Sequence, residues 1–299
     1  MTVVGAPLES LAHVAPGSSL TRWSFEPTVA AALVLTGLLY ADGLGRVRRL
    51  GRRFSRRRAA SFFAGLVVLF FALEGPIDAD ADLLLSVHMV QHLLITLVAA
   101  PLLLLGTPVI LALQASSERT RRRWLLPLVH GRTGRVLGRP AVGWAAFVVV
   151  LWGSHLSTVY EAAVRNQPIH ALEHLAYLVS ALLFWRPIIG LEPGGRLSHG
   201  ARVLSIFLAM PAMALLGLAI STAPRVLYPT YLAGARALGV SALSDQHLAG
   251  ALMWEAGMFV FVPALALVVL DWMRRDEERA RRLDERAAAR TLLQPRGGG

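Results

Sequence analysis

The chain has 299 residues, of which 55% are hydrophobic and 16% charged, and its mean hydropathy is +0.54. So few charges cannot cover the surface of a soluble protein of this length, which indicates a membrane protein. The formal net charge is +11, but all thirty basic residues are arginines that lie mostly between long apolar runs. This distribution argues against nucleic-acid binding, and the absence of cysteine excludes disulfides and thiolate metal sites.

A helix needs about 20 apolar residues to cross about 30 Å of hydrocarbon, and seven stretches approach that length. In chain order, the predicted spans are residues 25–44, 59–75, 83–105, 141–155, 169–189, 203–221 and 246–272. The fourth span is short, and we expect Pro101 and Pro108 to end or kink the third, because proline removes a helix donor. The sequence therefore predicts an all-α, polytopic membrane helical bundle with seven transmembrane helices.

The arginines lie almost entirely on one side of these predicted spans. The loops after the first and third spans hold eight and seven of them, and eight more follow Trp272. Retained positive charge marks the cytoplasmic face, so we expect the N-terminus outside and the C-terminus in the cytoplasm. The predicted organisation is an extracytoplasmic tail over 1–24, a seven-helix transmembrane domain over 25–272 and an arginine-rich cytoplasmic tail over 273–299.

Six of the nine histidines fall in or beside the predicted spans, and all six lie in the half that we predict to be the outer one. They are His88, His92, His155, His170, His174 and His247. The first two are four residues apart, as are the fourth and fifth, so each pair lies on one helix face. Ionisable residues inside a membrane mark functional sites, and imidazole is a favoured ligand of copper and zinc. The two pairs together predict a metal site, whereas His155 or His247 alone is also typical of a hydrogen-bonded packing residue.

Other polar and sulfur-containing side chains lie at the same predicted level. We expect Gln91, Glu173 and Asp245 to orient the imidazoles or to add a carboxylate ligand. Thioether sulfurs are soft ligands that suit Cu(I), although methionine in an apolar helix is more often a packing residue. The methionines in question are Met89, Met253 and Met258.

The segment His170-Ala-Leu-Glu173-His174 also matches the H-x-x-E-H pattern of inverted zinc proteases. In that pattern both histidines bind zinc and the glutamate acts as the base, but five residues with two free positions arise easily by chance. A zinc hydrolase would also need a third ligand, which His88 or His92 could supply, and an open coordination position. Facing histidines on two helices would equally permit a b-type haem, so both alternatives stay open.

Several segments resemble the CtaG-type cytochrome c oxidase assembly factors. These segments are 88–94 with the 106–108 turn after Pro101, 152–156, 160–163, 170–174, 184–185, 245–250 and 253–254. They carry the six histidines in the order and topological places of that family, between about residues 59 and 272. One departure is Ser157, where the family has a proline soon after the His-Leu pair, and this affects a loop more than a ligand.

The resemblance implies a non-enzymatic helper that builds the copper-containing terminal oxidase of an aerobic bacterium, in the plasma membrane. Copper is the implied metal, held at the outer face by the six histidines, with zinc or haem as the alternatives. The expected partners are a cytochrome c oxidase subunit, a copper chaperone or both, together with membrane lipid.

Overall fold

The computed structural model describes residues 23–191 and 197–293, and within these ranges the secondary structure is helical apart from one isolated bridge between Ser24 and Gly75. The all-α prediction is therefore confirmed for the described residues. The predicted tail over 1–24 lies almost wholly outside them, as do residues 294–299 of the predicted C-terminal tail.

The α-helices alternate between long rods and short connecting turns. The helices are α1 (Pro27–Arg49), α2 (Arg56–Leu73), α3 (Pro76–Ala81), α4 (Leu85–Leu93), α5 (Ala100–Leu105), α6 (Pro108–Ala115), α7 (Glu118–Thr120), α8 (Leu126–His130), α9 (Arg132–Leu137), α10 (Pro140–Ser154), α11 (Ser157–Val164), α12 (Gln167–Ile189), α13 (His199–Ser221), α14 (Leu232–Ala237) and α15 (Ala242–Leu293). Two π-helical segments, Leu94–Ala99 and Arg121–Leu125, and one 3₁₀ turn, Pro229–Tyr231, join some of them.

Five helical segments of the described chain are long and apolar enough to cross a membrane. They are Pro27–Arg49, Leu85–Ala115, Gln167–Ile189, His199–Ser221 and Ala242–Glu285. The pair α10 and α11, bent by 80°, makes a sixth candidate. The 15 residues of α10 cover only about 22 Å, less than the hydrocarbon core, and α2 has 18 residues that begin with three arginines. The structure thus supports five or six spans, and the seven spans and the orientation of the termini stay predictions.

The third span is not a regular helix. Between α4 and α5 the chain forms a π-helical segment, Leu94–Ala99, and Pro101 stands in the first turn that follows it. Thr107 then adopts a left-handed conformation with φ of 49°, and Pro108 starts α6. The prediction that proline interrupts this span is therefore confirmed, and the π-helical segment begins two residues after His92. Such segments widen a helix and occur frequently at functional sites.

Two helix pairs approach each other closely because small residues face one another. A β-carbon added at Gly217 of α13 would lie 2.7 Å from the carbonyl oxygen of Gly250 in α15, and one added at Gly250 would lie 2.5 Å from that of Gly217. Gly143 of α10 similarly lies against the backbone of Leu183 in α12. Since lipid tails are as apolar as leucine, close backbone packing is what holds such helices together in a membrane.

Candidate metal centre

Helices α4 and α12 bring the two predicted histidine pairs together. The imidazole centroids of His88 and His170 are 5.1 Å apart, and those of His92 and His174 are 5.4 Å apart. His88 is fully buried, and His92 and His170 are buried to at least nine-tenths. We call these four residues the histidine cluster. The i, i+4 spacing predicted each pair, and the packing of α4 against α12 joins them.

The ligand atoms of the cluster lie within the range that one cation requires. Those of His88, His92 and His174 all lie within 4.8 Å of one another, as do those of His88, His170 and Glu173. The Nε2 atoms of His88 and His92 are 3.0 Å apart. Two imidazoles on one ion, with metal–nitrogen bonds of about 2.0 Å, place their nitrogens about 3 Å apart. The arrangement is thus compatible with a metal ion.

Several polar atoms of this group are buried and have no hydrogen-bond partner. They are Nδ1 of His92, Nε2 of His170, Nε2 of His174 and both carboxylate oxygens of Glu173. A buried polar atom without a partner costs about 1–3 kcal/mol, and native structures contain few of them. The unpaired Nε2 atoms of His170 and His174 and the unpaired Glu173 carboxylate offer lone pairs that a cation would use.

Two tyrosine hydroxyls form a hydrogen-bonded chain that ends at Nδ1 of His88, the ring nitrogen that does not face His92. The Tyr231 hydroxyl lies 3.0 Å from Nδ1 of His88, and the Tyr160 hydroxyl lies 2.8 Å from that of Tyr231. Burial raises the pKa of the Tyr231 phenol well above its ordinary value, so the group stays protonated. When Nδ1 of His88 donates to Tyr231, its Nε2 is free to bind a cation. Sequence reasoning missed Tyr231, because it lies in a loop between spans and carries no spacing signal.

Two of the six predicted ligands lie outside the cluster. Neither His155 nor His247 belongs to the two sets of adjacent ligand atoms found among the described residues. The His247 imidazole bonds through Nε2 to the carbonyl oxygen of Ala223 at 3.0 Å. His155 bonds through Nδ1 to the carbonyl oxygen of Leu151 at 2.7 Å, and its Nε2 faces the sulfur of Met89 at 3.3 Å.

We expected Gln91, Asp245 and Glu173 to orient the imidazoles. Gln91 and Asp245 instead make hydrogen bonds that position α4, the helix that carries His88 and His92. The amide nitrogen of Gln91 donates to the carbonyl oxygen of Ala72 and to the carboxylate of Asp78, each at 2.8 Å. Asp245 accepts a hydrogen bond from the backbone N–H of Leu85 at 2.7 Å and thereby caps the start of α4. Of the three, only Glu173 is within ligand range of the imidazoles.

A cavity of about 730 Å³ opens onto the cluster. It lies between α1, α2 and α12, and most of its wall is apolar side chains such as Leu33 and Leu66. Glu26 and Asp78 also line it, as do His170 and His174. Asp82, in the turn before α4, interacts electrostatically with His170, and burial raises the pKa of its carboxyl. The cavity therefore gives access to the imidazoles of His170 and His174 from between α1 and α12.

Comparison with known proteins decides the family. The model of the family described as cytochrome c oxidase caa3 assembly factor (Caa3_CtaG) matches residues 38–275. The chain belongs to this family. With its long apolar helices it is a membrane protein, and its resemblance to CtaG-type proteins is confirmed.

Relatives of this caa3 assembly factor family member occur in mycobacteria. Uncharacterized proteins of Mycobacterium bovis and Mycobacterium tuberculosis are each 29% identical over 276 residues, which is 90% of this chain. One from Mycobacterium leprae is 28% identical over 275 residues, or 89% of the chain. The chain spans only 42% of the length of these relatives. No solved structure matches it.

Proposed function

We propose that the histidine cluster binds a copper ion as cargo, and that this protein presents the copper to a subunit of cytochrome c oxidase during assembly. The observation that carries the proposal is the convergence of four imidazoles from α4 and α12, with unpaired buried atoms on three of them. Family membership supplies the link to the oxidase, and the ligand set supplies the chemistry.

The ligand chemistry favours copper over other cations. With no cysteine in the chain, the site relies on imidazole nitrogen, with one carboxylate close by. Imidazole suits copper and zinc, and at a given nitrogen site Cu(II) binds more tightly than Zn(II). The Nε2 atoms of His88 and His92 also lie only 3.0 Å apart, a spacing that suits two ligands of a single ion better than a haem.

In this proposal the chain has no catalytic residue. A copper chaperone would load the cluster, and the oxidase subunit would withdraw the ion. The cavity that ends at His170 and His174 would let either partner reach the ion from between α1 and α12. The surrounding apolar helices would keep water and competing ligands away.

The proposal is tested by metal content. We would purify the full chain in detergent, load it in air with Cu(II) and measure copper, zinc and iron in the wild type and in His170→Ala/His174→Ala. We expect nearly stoichiometric copper in the wild type and at least a tenfold lower content in the double variant. His130→Ala, at an exposed histidine, is the matched control and should keep its copper. Absence of copper from the loaded wild type, or iron with a Soret band, would overturn the proposal.

A zinc hydrolase is the second candidate function, because Glu173 lies within ligand range of His88 and His170 and its carboxylate oxygens have no hydrogen-bond partner. In that alternative Glu173 would be the general base. Glu173→Gln would then keep its metal and lose all turnover of a peptide or ester substrate. An assembly factor has no such turnover, so the wild type and the variant should be equally inactive, and only oxidase maturation should respond.

A further inference from the structure

His155 and Met89 form a second pair of potential ligands beside the histidine cluster. Nε2 of His155 lies 3.3 Å from the sulfur of Met89, across the interface between α4 and the end of α10. Both residues are buried, His155 with 7% and Met89 with 1% of its surface exposed. Whether this contact is a hydrogen bond or a pair of ligand atoms depends on which nitrogen of the imidazole carries the proton.

The surroundings of His155 define that proton position. Its Nδ1 lies 2.7 Å from the carbonyl oxygen of Leu151, closer than the hydroxyls of Ser154 at 3.2 Å and Tyr177 at 3.4 Å, and a carbonyl oxygen can only accept a hydrogen bond. Nδ1 therefore carries the proton, and in the neutral imidazole Nε2 bears only its lone pair. The thioether of Met89 has no hydrogen to donate either. Two lone pairs thus face each other at 3.3 Å with no proton between them.

That geometry is the one that two ligands of a single soft cation adopt. At tetrahedral angles, metal–nitrogen and metal–sulfur bonds of about 2.0 and 2.3 Å place the two ligand atoms about 3.5 Å apart. Thioether sulfur selects Cu(I), which also accepts imidazole and tolerates low coordination numbers. Both ligands are neutral, so a monovalent cation places the smallest charge in this buried position.

We propose that His155 and Met89 form a separate Cu(I) position next to the histidine cluster. Tyr160 lies between the two sites, with its ring centroid 6.1 Å from that of His155 and 5.3 Å from that of His88. Met89 also directly follows His88 in α4. Copper would occupy the all-nitrogen cluster in either oxidation state and the nitrogen–sulfur position only as Cu(I). This inference rests on the proposed function for copper as the cargo.

The test is anaerobic loading of the full chain with Cu(I), followed by copper quantification and X-ray absorption at the copper edge. We expect the wild type to hold about two copper ions, with sulfur scattering at about 2.3 Å. Met89→Leu keeps the side-chain volume and should lose one copper together with the sulfur scattering. Met213→Leu, at a buried methionine of α13, is the matched control and should behave as the wild type.

The variants separate this inference from the proposed function. His170→Ala/His174→Ala should lose the other copper and retain the sulfur scattering. If Met89→Leu keeps all its copper, or if the wild type shows no sulfur scattering, the second position is wrong and the cluster is unaffected. If Met89→Leu alone abolishes binding at both positions, the two are one site and the inference also fails. If the double variant keeps both coppers, the proposed function fails instead.

Discussion

Two groups of polar residues between the apolar helices that the structure describes are built in opposite ways. The first is the histidine cluster between α4 and α12. The second lies where α13 meets α15, and we call it the aspartate cluster: Asp271, His199, Arg202 and Arg275. Three nitrogen donors converge there on the Asp271 carboxylate, which lies 3.2 Å from His199, 3.0 Å from Arg202 and 2.9 Å from Arg275.

The difference lies in how their polar atoms are satisfied. In the aspartate cluster, Arg202 also donates from Nε to the carbonyl oxygen of Ile188 at 2.6 Å, so its charge is paired on two sides. In the histidine cluster, three ring nitrogens and the Glu173 carboxylate lack partners. Paired polar groups stabilise a fold, whereas unpaired ones lower its stability. We infer that the aspartate cluster is structural and that the histidine cluster is kept for a ligand.

The largest stability effect that would test this contrast is expected at Arg202. Arg202→Met keeps much of the side-chain bulk but removes the hydrogen bonds of Arg202 to Ile188 and to the partly exposed Asp271, and should lower the free energy of unfolding by about 3 kcal/mol. Reversible unfolding in mixed micelles measures this loss. Arg275→Ala is the control, because this more exposed i, i+4 partner of the same aspartate should contribute less than about 1 kcal/mol. Equal losses in the two variants would contradict the structural role of Arg202.

The second effect is stabilisation by copper itself. A ligand at a hundred times its dissociation constant stabilises the folded state by about 2.7 kcal/mol, and we expect this increase in the wild type. His170→Ala/His174→Ala should show no increase with Cu(II), because it lacks two of the four imidazoles. Thermal unfolding of each protein with and without Cu(II) measures the increase. An equal increase in the double variant would mean that copper binds outside the histidine cluster.

A smaller effect is expected at Tyr231, which holds Nδ1 of His88. Loss of a group that orients a ligating imidazole typically weakens metal binding about 10- to 100-fold, and we expect Tyr231→Phe to fall in this range. Competition with a chelator of known affinity measures it. Tyr228→Phe is the matched control, because that hydroxyl donates to the backbone carbonyl of His155 and not to an imidazole. Similar losses in the two variants would refute a positioning role for Tyr231.

The smallest effect is expected at His247. Its imidazole bonds to the Ala223 carbonyl, away from the histidine cluster, so His247→Ala should remove one hydrogen bond worth about 0.5–1.5 kcal/mol. The copper content and affinity should not change. A tenfold loss of copper affinity in this variant would return His247 to the ligand set predicted from the sequence.

Local patterns in the sequence were enough to predict the helical class and the two histidine pairs. Hydropathy depends on composition over about 20 residues, and an i, i+4 pair depends only on the period of the helix. Pro101 and Pro108 likewise predicted the break in the third span, because the effect of proline on a helix is local. Family membership followed from the same stretches of sequence.

Only the tertiary structure decided which of these local features meet. The contact between α4 and α12, the hydroxyl of Tyr231 behind His88, and the separation of His247 from the cluster all depend on how helices distant in sequence pack. That packing rests on contacts such as Gly217 against Gly250 and the cap that Asp245 places on α4, which have no sequence period. The i, i+4 rule says which side chains share one face of a single helix. A ligand site needs the faces of two helices at the same depth, and how closely the helix backbones pack across the bundle determines that depth.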